Sequence, residues 1–88
     1  MVHELKTLPV YFNAVLEGRK NFEIRKNDRF FQQGDELLLK EWYPDDWYEV
    51  GEKECYTGRF LHRKITYILK GGQYGIENGY VILGLEKI

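Results

Sequence analysis

The run Leu16-Glu17-Gly18-Arg19-Lys20-Asn21-Phe22-Glu23-Ile24-Arg25-Lys26-Asn27-Asp28, followed after a short gap by Gln33-Gly34-Asp35, constrains the fold more than any other part of this chain. It packs a helix stop, a charged strand and a turn into one short stretch. Upstream, Leu8, Phe12, Val15 and Leu16 recur at helical spacing, Pro9 stands where a first turn accepts it, Thr7 is available as a cap, and Gly18 supplies a left-handed C-terminal residue. The spacing predicts one short amphipathic helix near residues 8–17. Beyond it, Phe22 and Ile24 alternate with Asn21, Glu23 and Arg25 at period two, which predicts a strand with Phe22 and Ile24 inward and a polar, oppositely charged row outward. That row is the first candidate site.

A chain of 88 residues allows one domain with one small core, and 43% hydrophobic residues with 16% aromatics favour a folded chain over a disordered one. We therefore expect a single domain spanning residues 1–88. No apolar run approaches the roughly 20 residues needed to cross a bilayer, and Met1-Val2-His3-Glu4-Leu5-Lys6 lacks the apolar segment of a signal peptide, so the expectation is a cytoplasmic protein without membrane association. Cys55 stands alone and His3 and His62 are far apart, so neither a disulfide nor a metal site is expected, and no cofactor is implied.

The net charge of −1 conceals segregation: residues 1–31 carry six Lys/Arg against four Asp/Glu, residues 35–55 two against eight, and residues 56–72 four against none. Two basic segments flanking an acidic one would present a basic face to a polyanion, or would neutralise one another across neighbouring strands.

Glu36 to Tyr43 reads as a strand, its Leu37-Leu38-Leu39 run implying burial on both faces or a bulge. Pro44-Asp45-Asp46 ends it, and residues 44–57 read as a long connection holding Trp47, Tyr48 and Tyr56 among acids. A further strand is predicted over Arg59 to Leu69, with Leu61, Ile65, Tyr67 and Leu69 on one face that Arg63 interrupts. Gly71 to Gly75 and Asn78-Gly79 are turn signals, and Tyr80 to Glu86 closes the chain as a strand on which Val81, Leu83 and Leu85 alternate. The fold class is α+β, mainly β: one N-terminal helix capping a small barrel of about four to six mostly antiparallel strands. Its expected core contains Phe12, Leu16, Phe22, Ile24, Leu39, Ile65 and Val81.

Some apparent motifs carry no chemistry. His3-Glu4 lacks the second histidine of a zinc-protease helix, and Gly72-Gln73-Tyr74-Gly75 matches a KH-type loop in letters while its flanks read as strands. The stretch from Arg19 to Arg29 is different: Arg19, Lys20, Arg25, Lys26 and Arg29 are interleaved with Asn21, Phe22 and Asn27, a set suited to phosphates and base edges, or to cross-strand salt bridges on a solvated face. Trp42, Tyr43, Trp47 and Tyr74 would serve as stacking surfaces for bases or as fillers of an aliphatic-poor core.

His3-Glu4-Leu5-Lys6-Thr7, the Val15 to Asp28 run, Phe31-Gln32-Gln33-Gly34-Asp35, Glu41-Trp42, and the segments Tyr67 to Gly75 and Gly79 to Ile82 together resemble a small bacterial and phage branch of the ASCH domains, within the PUA-like superfamily. The resemblance spans nearly the whole chain. It implies a PUA-like pseudo-barrel, a cleft between the first helix and the sheet, and binding of RNA or another nucleic acid. Some ASCH relatives hydrolyse the N4-acyl group of acetylated cytidine with a lysine just after the helix, a threonine three residues later and a distant glutamate. The lysine corresponds to Lys20, but the threonine position holds Glu23, a carboxylate without the nucleophilic hydroxyl, although a carboxylate would still activate a water.

The expected activity is therefore that of an RNA-binding module whose cleft is lined by Lys6, Lys20, Glu23, Arg25 and Glu41, with Trp42 and Tyr74 as stacking surfaces. The alternative is a small amidohydrolase acting on a modified nucleoside such as N4-acetylcytidine, with Lys20 and Glu23 as its catalytic pair. Strict alternation would point Lys20 and Glu23 to opposite faces, so they share a site only if Lys20 lies in the turn after Gly18.

Overall fold

The computed structural model describes residues 1–44 and 55–88. Its elements are β1 (Val2–Thr7), α1 (Pro9–Leu16), β2 (Phe22–Lys26), β3 (Glu36–Tyr43), β4 (Cys55–Lys70) and β5 (Tyr80–Lys87). The five strands form one sheet in the order β1-β3-β4-β5-β2, curled into a half-barrel, with β1 parallel to β3 and every other pairing antiparallel. The architecture is mostly β with a single short helix. The expected connection over residues 44–57 falls largely on residues 45–54, including Trp47 and Tyr48, which lie outside the described residues.

Strand β1 carries no clear hydrophobic alternation, yet its burial alternates strictly: His3, Leu5 and Thr7 point inward while Val2, Glu4 and Lys6 point out. Register places His3 beside Leu37, Leu5 beside Leu39 and Thr7 beside Glu41, so the inner face grades from aliphatic to polar toward the C-terminal end of β1. On β5, Val81, Leu83 and Leu85 point inward, as the alternation predicts. Leu5, Val15, Phe31, Leu37, Leu39, Ile65, Val81, Leu83 and Leu85 form the core. Leu37, Leu39, Ile65 and Leu83 are completely buried, and each contributes about 1.5–3 kcal/mol of transfer free energy.

The inward face of β2 is inverted relative to the sequence expectation. Its antiparallel register sets Glu23 opposite Leu83 and Arg25 opposite Val81, and directly opposed side chains share a face. Glu23 is consequently 3% exposed, while Phe22 and Ile24 are 42% and 53% exposed. Leu16 at the helix end is exposed as well, so three of the seven expected core residues are exposed, Leu39, Ile65 and Val81 lie in the core, and Phe12 is buried beside it.

The second departure is on β4, where a bulge between Ile65 and Tyr67 shifts the pairing with β5. Parity flips there, turning Ile68 toward the core and leaving Tyr67 exposed. Arg63, which does interrupt the inner face, is buried beneath the helix with Nη2 directed at the carbonyl of Val15 at 3.5 Å.

Helix α1 lies over the sheet with Phe12, Ala14 and Val15 buried. Pro9 occupies its first turn, but the residue at the N-cap is Leu8 and no side chain caps the helix. Thr7 is instead the buried last residue of β1, and its hydroxyl donates back to the carbonyl of Leu5. At the other end Gly18 adopts φ +82°, and the amides of Arg19 and Lys20 both donate to the carbonyl of Ala14. This turn fixes Lys20 outside the strand, over the mouth of the half-barrel.

Candidate functional site

The two edge strands of the half-barrel, β1 and β2, are joined by side chains. Arg25 Nη2 donates to the carbonyl of Lys6 at 3.0 Å and to Thr7 Oγ1 at 3.4 Å, and Arg29 Nη1 donates to the carbonyl of Glu4 at 2.9 Å. Guanidinium groups thus occupy carbonyls of β1 along the seam.

At the head of this seam sits a three-residue charge cluster. Glu23 Oε2 accepts from Lys20 Nζ at 2.7 Å and Glu23 Oε1 from Arg25 Nε at 2.9 Å, and Lys20 Nζ also donates to the carbonyl of Phe22. Two cations surround one buried carboxylate, so the cluster carries an excess positive charge at the edge of a low-dielectric interior. Lys20 Nζ lies 5.0 Å from the ring centroid of Phe22 and 5.6 Å from that of Tyr11, and Lys6 Nζ lies 5.5 Å from the Trp42 ring.

The cluster forms one wall of a cleft of about 520 Å³ between α1 and the sheet, lined by Lys6, Thr7, Leu8, Tyr11, Lys20, Phe22, Glu23, Ile24, Arg25 and Trp42. A cleft of this size, with aromatic walls and a few convergent polar groups, has the composition of a small-ligand site. Trp42 contributes a ring and an indole N–H that is buried without a hydrogen-bond partner among the described residues.

Five of the seven residues singled out in the sequence therefore line one cleft: Lys6, Lys20, Glu23, Arg25 and Trp42. Glu41 is buried next to it, opposite Thr7 in the sheet, but its carboxylate is turned to Arg59 and Thr57: Arg59 Nε and Nη2 donate to Oε1 and Oε2 at 2.8 and 2.9 Å, and the Thr57 hydroxyl donates at 2.7 Å. The Arg59 hydrogen bond is the main reason the Glu41 carboxyl titrates below its ordinary range, with the Thr57 bond adding to it. Arg59 also donates to Asn13 Oδ1 and lies over the Phe12 ring, so Glu41 serves to hold the helix onto the sheet. Tyr74 is not brought to the cleft. It is 87% exposed at φ +53° in the turn between β4 and β5, whose geometry is set by short bonds such as Gly72 N–H to the carbonyl of Ile76.

The cleft is also lined by Thr7, Leu8, Tyr11, Phe22 and Ile24, none of which the sequence assigns to the cleft itself. Tyr11 is signalled only by its place next to the buried Phe12 on the helix, whereas the period-two pattern of β2 points Phe22 and Ile24 to the core.

The chain belongs to the family defined by the domain of unknown function DUF3850, whose sequence profile matches residues 2–85. It is similar to an uncharacterised 12.9 kDa protein in the GpA 3′ region of Escherichia phage P2, with 40% identity over 65 residues, covering 74% of this chain and 51% of that protein. The chain thus spans about half the length of that phage relative. Among the described residues, no helix is long and apolar enough to cross a membrane, and no group of three or more metal-ligating side chains occurs.

Proposed function

We propose that this protein is an RNA-binding module of the PUA-like, ASCH type that takes an unstacked nucleobase into the cleft between α1 and the half-barrel. The observation that carries this reading is the cluster Lys20–Glu23–Arg25, buried at its carboxylate and cationic at its rim, with Lys20 against the rings of Tyr11 and Phe22 and with Trp42 lining the same cleft. Aromatic faces accept any base, with stacking worth about 1–3 kcal/mol each, while the ammonium and guanidinium donors suit base carbonyls and phosphate oxygens. Unpaired RNA exposes both features; a duplex hides its base faces.

A second reading, hydrolysis of an N4-acylated cytidine, is favoured by one observation: a threonine, Thr7, is among the residues that line the same cleft as Lys20. It ranks lower because Thr7 Oγ1 faces the Arg25 donor and the carbonyl of Leu5, neither of which is a base, and both Glu23 oxygens are engaged by cations.

Fluorescence anisotropy with a labelled single-stranded RNA tests the binding reading. Retention at low salt, loss as salt rises, and about a tenfold or greater weakening in Lys20→Ala support it. Absence of binding at low salt, or turnover of N4-acetylcytidine that Lys20→Ala abolishes, overturns it.

A further inference from the structure

A second groove of about 390 Å³ adjoins the cleft and shares Lys6 and Arg25 with it. Arg29, Lys40 and Tyr56 complete its ligand-facing character, and Glu4 is the one carboxylate among its described lining residues. We infer that the bound strand continues from the cleft across the β1–β2 seam into this groove, so that the ligand is at least a dinucleotide step, with its linking phosphate at Arg25 and its second base on Tyr56. This rests on the nucleic-acid reading of the cleft and goes beyond it by fixing the path and the minimum length.

Three features carry the inference. The first is the chemistry of the seam: Arg25 and Arg29 are tied to neutral backbone carbonyls, of Lys6 and Glu4, which orient a guanidinium without cancelling its charge. These carbonyls are two residues apart on β1, which sets the two anchoring points about 6.6 Å apart along the strand. Arg25 shares Glu23 with Lys20, and its Nη1 has no hydrogen-bond partner among the described residues, leaving donors for a phosphate oxygen.

The second feature is the far wall. Lys40 Nζ sits 4.6 Å from the centroid of the Tyr56 ring, which is 44% exposed, a platform on which a base stacks beside a cation. The third is the weakness of the competing contacts. Glu4 is 63% exposed at its side chain and meets Lys40 at 3.3 Å, and Asp28 meets Arg29 only at 3.9 Å, so at Lys40 and Arg29 the strand competes against solvated surface pairs alone.

The test is an NMR titration of the protein with the four 5′-ribonucleotides and with the corresponding homodinucleotides, followed by Lys40→Gln and Tyr56→Ala. The expected result is that dinucleotides bind at least tenfold tighter than mononucleotides. Either substitution should reduce that gain about fivefold or more while leaving mononucleotide affinity unchanged. With a longer RNA, Lys40→Gln should lower the slope of log K against log salt by about 0.7. If mononucleotides bind in a Lys20-dependent manner but dinucleotides bind no tighter and Lys40→Gln is silent, the path is wrong and the cleft reading stands. If mononucleotides, dinucleotides and longer RNA all fail to bind, both fall together.

Discussion

Replacing Arg25 by Met should destabilise the fold strongly, because this side chain both compensates a buried charge and bridges the open edges of the sheet. Methionine keeps most of the stem volume and removes the fork, so the loss falls on the polar contacts. Three are lost: the pair with Glu23 at 2.9 Å, the bond to the Lys6 carbonyl at 3.0 Å and the longer one to Thr7 Oγ1. Removing one partner of a fully buried ion pair costs about 3–5 kcal/mol. Here the Arg25 side chain is 25% exposed, Glu23 keeps Lys20 at 2.7 Å, and water will enter beside the seam, which reduces the expected cost to about 2–3 kcal/mol. For a domain of this size that corresponds to a fall in Tm of about 8–20 °C, read by circular dichroism and checked by urea titration. Arg25→Lys should recover little, since a single ammonium cannot reach a carboxylate and a backbone carbonyl in the geometry of the fork. Glu23→Gln combined with Arg25→Met should cost less than the two single substitutions added, by about 1 kcal/mol or more, because the uncompensated carboxylate is gone. A Tm for Arg25→Met within 2 °C of wild type, or additivity within about 0.3 kcal/mol, would refute the seam as a structural element.

Other substitutions and conditions separate the parts of the account. Stability should hold at neutral pH and fall as pH drops below the ordinary value of 4.5 for Glu41 and then 3.8 for Asp35. Both carboxyls titrate lower in the folded protein, Glu41 through Arg59 and Asp35 through His3, so their contribution is complete above the unfolded values and is lost through the folded ones; Glu41→Gln should flatten part of that fall in a thermal melt series. Gly71→Ala should destabilise severely, since an added Cβ would meet the backbone carbonyls of Glu77 and Tyr80, and loss of a cooperative melt is the expected readout. Gly18→Ala, in open space at φ +82°, should cost only about 1 kcal/mol by the same assay. Tyr74→Ala should change neither Tm nor RNA affinity; a tenfold loss of binding would restore that ring to the site.

Where burial follows ordinary alternation the sequence is legible: β5, the helix and its glycine stop all fall close to their expected places, whereas on β3 Leu37 and Leu39 are buried and Leu38 is only half-buried, a one-sided burial that the triple-leucine run does not announce. The placement of Lys20 in the turn after Gly18 follows from the same glycine, and it brings Lys20 onto Glu23 despite their opposite parity along a strand. What stayed hidden has identifiable causes. Strand β1 buries a histidine, one leucine and a threonine, so its inner face carries no apolar period. On β2 the apolar residues face out because register with β5 commits Glu23 and Arg25 to the inner face, a long-range constraint that a five-residue window does not contain. The bulge after Ile65 breaks the parity of β4 in the same way. Glu41 and Tyr74 have the residue types of a binding site, but only tertiary structure turns the first onto Arg59 and leaves the second on a distant turn.

The most direct measurement is a ¹⁵N-resolved NMR titration of the protein with a single-stranded RNA at low salt, with amide and indole signals assigned. The account predicts shift changes clustered on Leu8, Tyr11, Lys20, Phe22, Arg25 and the Trp42 indole N–H, weakened about tenfold or more by Lys20→Ala in a protein whose dispersed amide spectrum shows that it is still folded. Shifts confined to the turn around Tyr74 or to the convex face of the sheet, or no shifts at saturating RNA, would contradict it.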